Sequence, residues 1–368
     1  MHTGKWLPTG FNLFLALLLI VSCEKQNDLP APASTTPQTK TTDGLVPMPS
    51  PVFVVWFRRD NIPSALTNFQ GRFGGWSFVI GSKGYIGGGT AVTTNSKLST
   101  AKNVFSFDTA TKAWSQNATP PSVVTGGEGA FAIGNNGYVL TGSEDVTQYT
   151  YAYSALNNSW SPKAPLPGIP RYYAVGVAID GKGYIGGGAY QPGLGLNFNN
   201  WTQYDPVADR WTEKARLPNE PTYGGVAFVS SGGTGGKAYL CGGYDNEGRL
   251  SKALWQYDPA TDQWTQKTNF PGSGRAWAVG MNTTNAGFIT TGWDGSKTLA
   301  DVWRYNFATD TWGTEPNIPY TAPIQGLNGA RQHAFGFGIG NIIYICGGLS
   351  GIDNTSARAD LWSLGIPN

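Results

Sequence analysis

Histidine is almost missing from this chain of 368 residues; His2 and His333 are the only two. His2 lies in an apolar leader, so His333 is the one imidazole of the remainder. A Ser-His-Asp relay would have to use it, nothing else marks a nucleophile, and histidine-rich metal sites are excluded. No metal and no cofactor are expected. Charge is also sparse, at 13 % of residues with a formal net charge of +2. Such a balance gives no pull toward nucleic acid or acidic surfaces. Cysteine occurs three times, as Cys23, Cys241 and Cys346. No phosphate-cradling loop or dinucleotide fingerprint stands between a strand and a helix, and the run Gly232-Gly-Thr-Gly-Gly236 reads as a hairpin turn.

The chain does have glycine, tryptophan and a repeat. It contains 51 glycines and 14 tryptophans, a profile of short strands, tight turns and aromatic packing between sheets. The unit is clearest from Tyr184 to Trp211 and recurs near every fifty residues. An aromatic opens a glycine strand at Tyr85, Tyr138, Tyr184, Tyr239, Phe288 and Tyr344, and four residues later stand Gly89, Gly142, Gly188, Gly243, Gly292 and Gly348. The next strand carries Phe107, Tyr153, Tyr204, Tyr257 and Tyr305, each followed after seven residues by Trp114, Trp160, Trp211, Trp264 and Trp312. Seven residues beyond each Trp comes Pro121, Pro167, Pro218, Pro271 and Pro319. The sixth copy stops before its Trp, and the missing piece stands at the other end, where Trp56 precedes Pro63 by the same seven residues. The segment from Val52 should therefore complete the last unit and close a ring, which leaves few free strand edges.

Diglycine, an aromatic-Asp pair and a following Trp resemble the kelch repeat, from Val52 to Pro367. Units two and five depart slightly, with Thr141-Gly142 and Thr291-Gly292, and unit three has Thr202 where its neighbours place an aromatic. The resemblance implies an all-β, six-bladed kelch-type propeller with four antiparallel strands per blade, the last closed by the N-terminal strand. Kelch proteins include galactose oxidase, adaptors and bacterial N-acetylneuraminate epimerases, so fold alone does not settle function. Galactose oxidase requires two histidine copper ligands, which this chain cannot supply. Copper-radical activity is not expected.

Three segments are expected. Residues 1–22 read as a lipoprotein signal peptide: Lys5, an apolar run from Phe11 to Val21, then Leu19-Ile-Val-Ser-Cys23, which resembles a lipobox. Cys23 is the expected lipidation site. Residues 23–51 read as a disordered tether rich in Pro, Ser and Thr, and residues 52–368 as the propeller. This places the protein in the bacterial cell envelope, held to a membrane through its N-terminal lipid. Cys241 and Cys346 occupy equivalent places in non-neighbouring units and are expected as buried free thiols.

One repeated position is not structural in type. Thirteen residues before the strand-opening aromatic stand Arg72, Arg171, Arg275 and Arg331, while units two and four carry Thr125 and Thr222. Equivalent blade positions lie on a circle, so the four guanidiniums are expected at one mouth of the channel, beside Tyr173, Trp277, Tyr244 and Trp293. Such a mouth suits a carboxylate, a phosphate or a stacked sugar. The competing reading is that the arginines bind neighbouring carbonyls and acids and seal the blades. Glu128 and His333 are the candidate proton-transfer groups, Glu128 because it stands among small residues; a salt-bridged Glu128 is the alternative. Three functions follow: a monomeric, non-catalytic module binding a glycan or partner protein at this face, an envelope sugar-acid epimerase or mutarotase similar to the N-acetylneuraminate epimerases, or a purely structural adaptor inside a multi-protein surface complex.

Overall fold

The computed structural model describes residues 54–367 apart from 64–68, 123–128, 142–147, 191, 193–195, 219–221, 231–234, 320–328 and 352–355. The expected leader, tether and Cys23 lie outside the described residues, as does Glu128. Six four-stranded antiparallel sheets follow one another along the chain. The third is typical, with strands Val175–Ile179, Lys182–Gly186, Trp201–Asp205 and Arg210–Lys214 in that order. The first strand of each sheet packs on the first strand of the next, right round and from the sixth back to the first. The result is the six-bladed kelch propeller that the repeat predicts.

Closure follows the expected register. Trp56–Arg59 pairs antiparallel with Leu361–Gly365, Trp56 opposite Leu364, and supplies the outermost strand of blade six. The repeated Trp has a second use. Its indole Nε1 donates to the carbonyl four residues past the preceding Trp: Trp114 to Asp60, Trp160 to Ala118, Trp211 to Ala164, Trp264 to Ala215 and Trp312 to Thr268, at 2.8–3.0 Å. Trp56 donates to Pro316 at 2.8 Å and completes the circuit.

The diglycines stand where blades touch. Gly242 and Gly243 have φ of 74° and 90°, conformations that favour glycine. A Cβ on Gly242 would lie 2.8 Å from the Arg275 carbonyl of the next blade. That same carbonyl accepts the Gly243 N–H at 2.8 Å. Glycine in the second strand admits a ring: a Cβ on Gly183 would sit 2.1 Å from Phe131 of the preceding blade. Cys241 and Cys346 are buried free thiols. A hairpin, Thr90–Thr93 with Leu98–Thr100, adds to Phe69–Phe73 as a separate three-stranded sheet above blade one. It forms because Phe69–Phe73 offers the segment from Thr90 to Thr100 an edge.

Candidate functional site

The innermost strands of five blades, all but blade two, are preceded by a described left-handed kink. Gly74, Tyr173, Gly224, Trp277 and His333, two residues after each repeated Arg or Thr position, have φ of 67°, 56°, 70°, 53° and 52°. The kink turns each peptide toward its neighbour. The N–H of Gly224 donates to Tyr173 O (3.1 Å), that of Trp277 to Gly224 O (2.8 Å), that of His333 to Trp277 O (2.9 Å) and that of Gly74 to His333 O (2.9 Å). A chain of backbone hydrogen bonds thus runs from blade to blade about the axis. Glycine adopts this conformation freely, whereas a side chain costs about 1–2 kcal/mol there. Tyr173, Trp277 and His333 hold it because the chain of bonds over-determines them.

Their side chains gather at the axis. The rings of Trp277 and His333 stack with centroids 4.7 Å apart and 21° between planes. Tyr173 packs edge-on to both, at 6.1 Å from Trp277 and 5.7 Å from His333. With the small residues around them, these three line an axial cavity of about 110 Å³. Tyr244 packs on Trp277 at 5.4 Å, and its hydroxyl hydrogen-bonds Trp293. Tyr223 stacks on Tyr244 at 5.4 Å, and Phe73 meets the edge of His333 at 6.3 Å. The aromatic group expected at this mouth is therefore present, extended by Tyr223 and Phe73. Sequence reasoning passed over these two; their one signal is that each immediately follows the repeated Thr or Arg position.

His333 is half-buried as a residue, but its Nδ1 is enclosed and bonded to no protein group, as is Nε1 of Trp277. Burial pushes the His333 imidazole down to about 3. It is therefore neutral at physiological pH, able to donate or accept a hydrogen bond and weak as a base.

The arginines do not gather there, which corrects the expectation of guanidiniums around the channel mouth. Arg72, Arg171, Arg275 and Arg331 are 2 %, 2 %, 2 % and 0 % exposed, and none lines the axial cavity. Each guanidinium turns into its own blade, to the carbonyl sixteen residues on and to the start of the third strand. Arg72 donates to Gly88 O at 2.8 Å and Asn103 O at 2.7 Å. Arg171 donates to Gly187 O at 3.2 Å and Asn200 Oδ1 at 2.6 Å. Arg275 and Arg331 reach Thr291 O and Gly347 O and grip Asp301 and Asp360 with two hydrogen bonds each. Burial lowers Arg72 and Arg171 to about 10, still cationic at neutral pH. Burial pushes the Asp360 carboxyl up, but the charge and hydrogen bonds of Arg331 outweigh it and hold the group below the usual carboxylate range. The reason is geometric. The left-handed residue separates the Arg from the innermost strand, so the side chain that faces the axis is the one two positions later. Among the described residues no cluster of His, Cys, Asp or Glu could hold a metal ion.

Known proteins place this arrangement. The N-acetylneuraminate epimerases of Shigella sonnei and Escherichia coli O1:K1 are 28 % and 27 % identical to the chain over 199 and 222 residues, 44 % and 50 % of its length. The match spans 53 % and 58 % of those relatives, little more than half. The solved structure of YjhT superposes with a TM-score of 0.62 at 15 % identity, covering 82 % of this chain and 95 % of that one, a likeness of fold. The KLHDC2/KLHL20/DRC7 Kelch-repeats domain matches residues 74–278, more than half of the chain. With its six blades and recurring diglycine and Trp, the chain belongs to that kelch-repeat family.

Proposed function

We propose that the protein is a sugar epimerase of the N-acetylneuraminate type, exchanging the anomers of an acidic sugar at the axial mouth. The observation that carries the reading is the cluster of Tyr173, Trp277 and His333, three rings held in left-handed backbone about one cavity, in a chain 27–28 % identical to such epimerases. An aromatic face takes the apolar face of a pyranose, and the unbonded Nδ1 and Nε1 atoms offer polar partners for its hydroxyls. The preference for an acid rests on the relatives, because the buried arginines are already bonded within their blades.

Anomer exchange needs a proton removed from the anomeric hydroxyl and one delivered to the ring oxygen, so that the ring opens and recloses on the other face. His333, with its imidazole near 3, suits orientation better than proton removal. Glu128 is assigned the proton-transfer role, since it stands three residues after Thr125 and two before the innermost strand of blade two. Proton NMR of freshly dissolved N-acetylneuraminate tests this: equilibration should be faster than in buffer, and slowed roughly 100-fold in Glu128→Gln. Wild-type protein that leaves the buffer rate unchanged would sink the reading.

The weak basicity of His333 favours a second reading, a module that binds a glycan or partner protein there without turnover. It predicts a saturable rise in melting temperature with sugar, lost in Trp277→Ala, and no change in anomer exchange. In either case we propose an exported, monomeric protein anchored to the bacterial envelope through Cys23, with no role in nucleic-acid binding. Mass spectrometry should find a lipid on Cys23 and none in Cys23→Ser.

A further inference from the structure

The buried arginine is part of a repeated three-residue assembly. In blade five, Asp301 accepts the two bonds from Arg275 and the indole N–H of Trp303 at 2.7 Å. In blade six, Asp360 does the same with Arg331 and Trp362, the indole bond measuring 2.9 Å. In both blades the guanidinium also reaches the carbonyl sixteen residues on. The guanidinium, the carboxylate and the indole fill the space beside the preceding blade.

Blade four keeps the Trp and loses both partners. Thr222 stands at the arginine's place, Ala253 at the carboxylate's and Trp255 at the Trp's. The missing atoms leave a cavity of about 230 Å³, lined among others by Thr222, Gly242, Ala253, Trp255 and Gln266. It is about twice the volume of the axial cavity. A dry cavity near 150 Å³ accepts benzene, so this one has room for a ring with a substituent.

We propose that this blade-four cavity is a second binding site, for a neutral carboxamide carried on a small ring. The assembly in blades five and six defines the chemistry. There an N–H donor meets the second-strand carbonyl, the place Gly242 occupies here, and an oxygen acceptor meets the indole N–H, the place of Trp255. One planar carboxamide presents both. Neutrality follows from the described lining residues, among which there is no Asp, Glu, Lys, Arg or His. A buried ion would lack a countercharge, and an unpaired buried charge is strongly disfavoured. Burial pushes the neighbouring Cys241 thiol up to about 12, so it stays uncharged too.

Benzamide, benzoate and benzamidinium are nearly the same size and shape and differ in charge, and they test the proposal in the full chain by melting temperature and ligand-observed NMR. Benzamide should stabilise the protein saturably and bind at least tenfold more tightly than either ion. Ala253→Leu, which fills the space, and Trp255→Phe, which removes the donor, should abolish the response. Thr222→Arg with Ala253→Asp should abolish it as well, by restoring the assembly. Should one variant fold poorly, the others and the charge series still decide. Tyr173 lines both cavities, so the two readings are separated by readout: Ala253→Leu should abolish benzamide binding and leave the rate of anomer exchange at the wild-type value, and failure here is distinct from failure of the epimerase reading. Absence of benzamide binding, equal binding of an ion, or binding that survives Ala253→Leu overturns the proposal.

Discussion

Arg331 and His333 stand two residues apart and face opposite ways: the guanidinium grips Asp360 inside its blade, and the imidazole stacks on Trp277 at the axis. Both directions yield predictions. Arg331→Met should destabilise by about 3 kcal/mol in urea denaturation, because buried Asp360 loses its two-bond partner and keeps only Arg358 at 3.7 Å and the Trp362 N–H. His333 shapes the acid response. Above pH 6.5 neither folded nor unfolded chain protonates it. Between 6.5 and about 3 the unfolded chain binds a proton that the folded one refuses, so stability falls as pH falls through that window. His333→Gln should flatten this part of the stability profile. Asp360, held below its ordinary value, adds stability above the usual carboxylate range that is lost in stronger acid. The repeat exposed both positions in the sequence. What it left open was side-chain direction, which depends on the left-handed residue between. Two glycines, Gly74 and Gly224, mark that position, but Tyr173, Trp277 and His333 occupy it in three other blades and hid it.

In blades three, four and five, the repeated Trp and the turn before it act together. Asp262 has φ of 55°, accepts the Tyr257 hydroxyl at 2.7 Å, and accepts the Ala215 N–H of the preceding blade at 2.9 Å. Asp209 and Asp310 do the same for Tyr204 and Ala164, and for Tyr305 and Thr268. Trp264 then donates to the carbonyl of Ala215, so one outer corner binds the preceding blade through both backbone groups of one residue. Trp264→Phe keeps most of the buried ring and loses the indole bond. It should cost about 1 kcal/mol, and Asp262→Ala about 1–3 kcal/mol by leaving buried partners unsatisfied; chemical denaturation measures both. The seven-residue spacing made the Trp legible as part of the fold. Its hydrogen bond was not legible, since the acceptor is forty or more residues away. The hairpin above blade one escaped for a related reason: Thr90–Thr93 is a strand only because Phe69–Phe73 lies alongside it.

Across the molecule, the outer indole bonds form a closed circuit joining the blades, and the axial backbone bonds form an arc inside it from blade three round to blade one. Trp56 belongs to the outer one and is 7 % exposed. Trp56→Ala removes its indole bond and opens a cavity against the blade-five side, and should cost about 3–5 kcal/mol. A much smaller loss would mean that blade six holds with three strands. The number of blades and their closure were legible because the truncated sixth copy and the early Trp56 complement each other. The axial cavity was legible only as a circle of positions, and its occupants had to be read from the backbone.

The register of Trp56 with Leu364 also orders events during synthesis. The strand made first waits for the one made last, so a nascent chain carries finished sheets beside an unpaired edge until residues 361–365 emerge. Chaperones working before that moment handle an open arc, and its waiting edge is the place where premature pairing with another copy would begin.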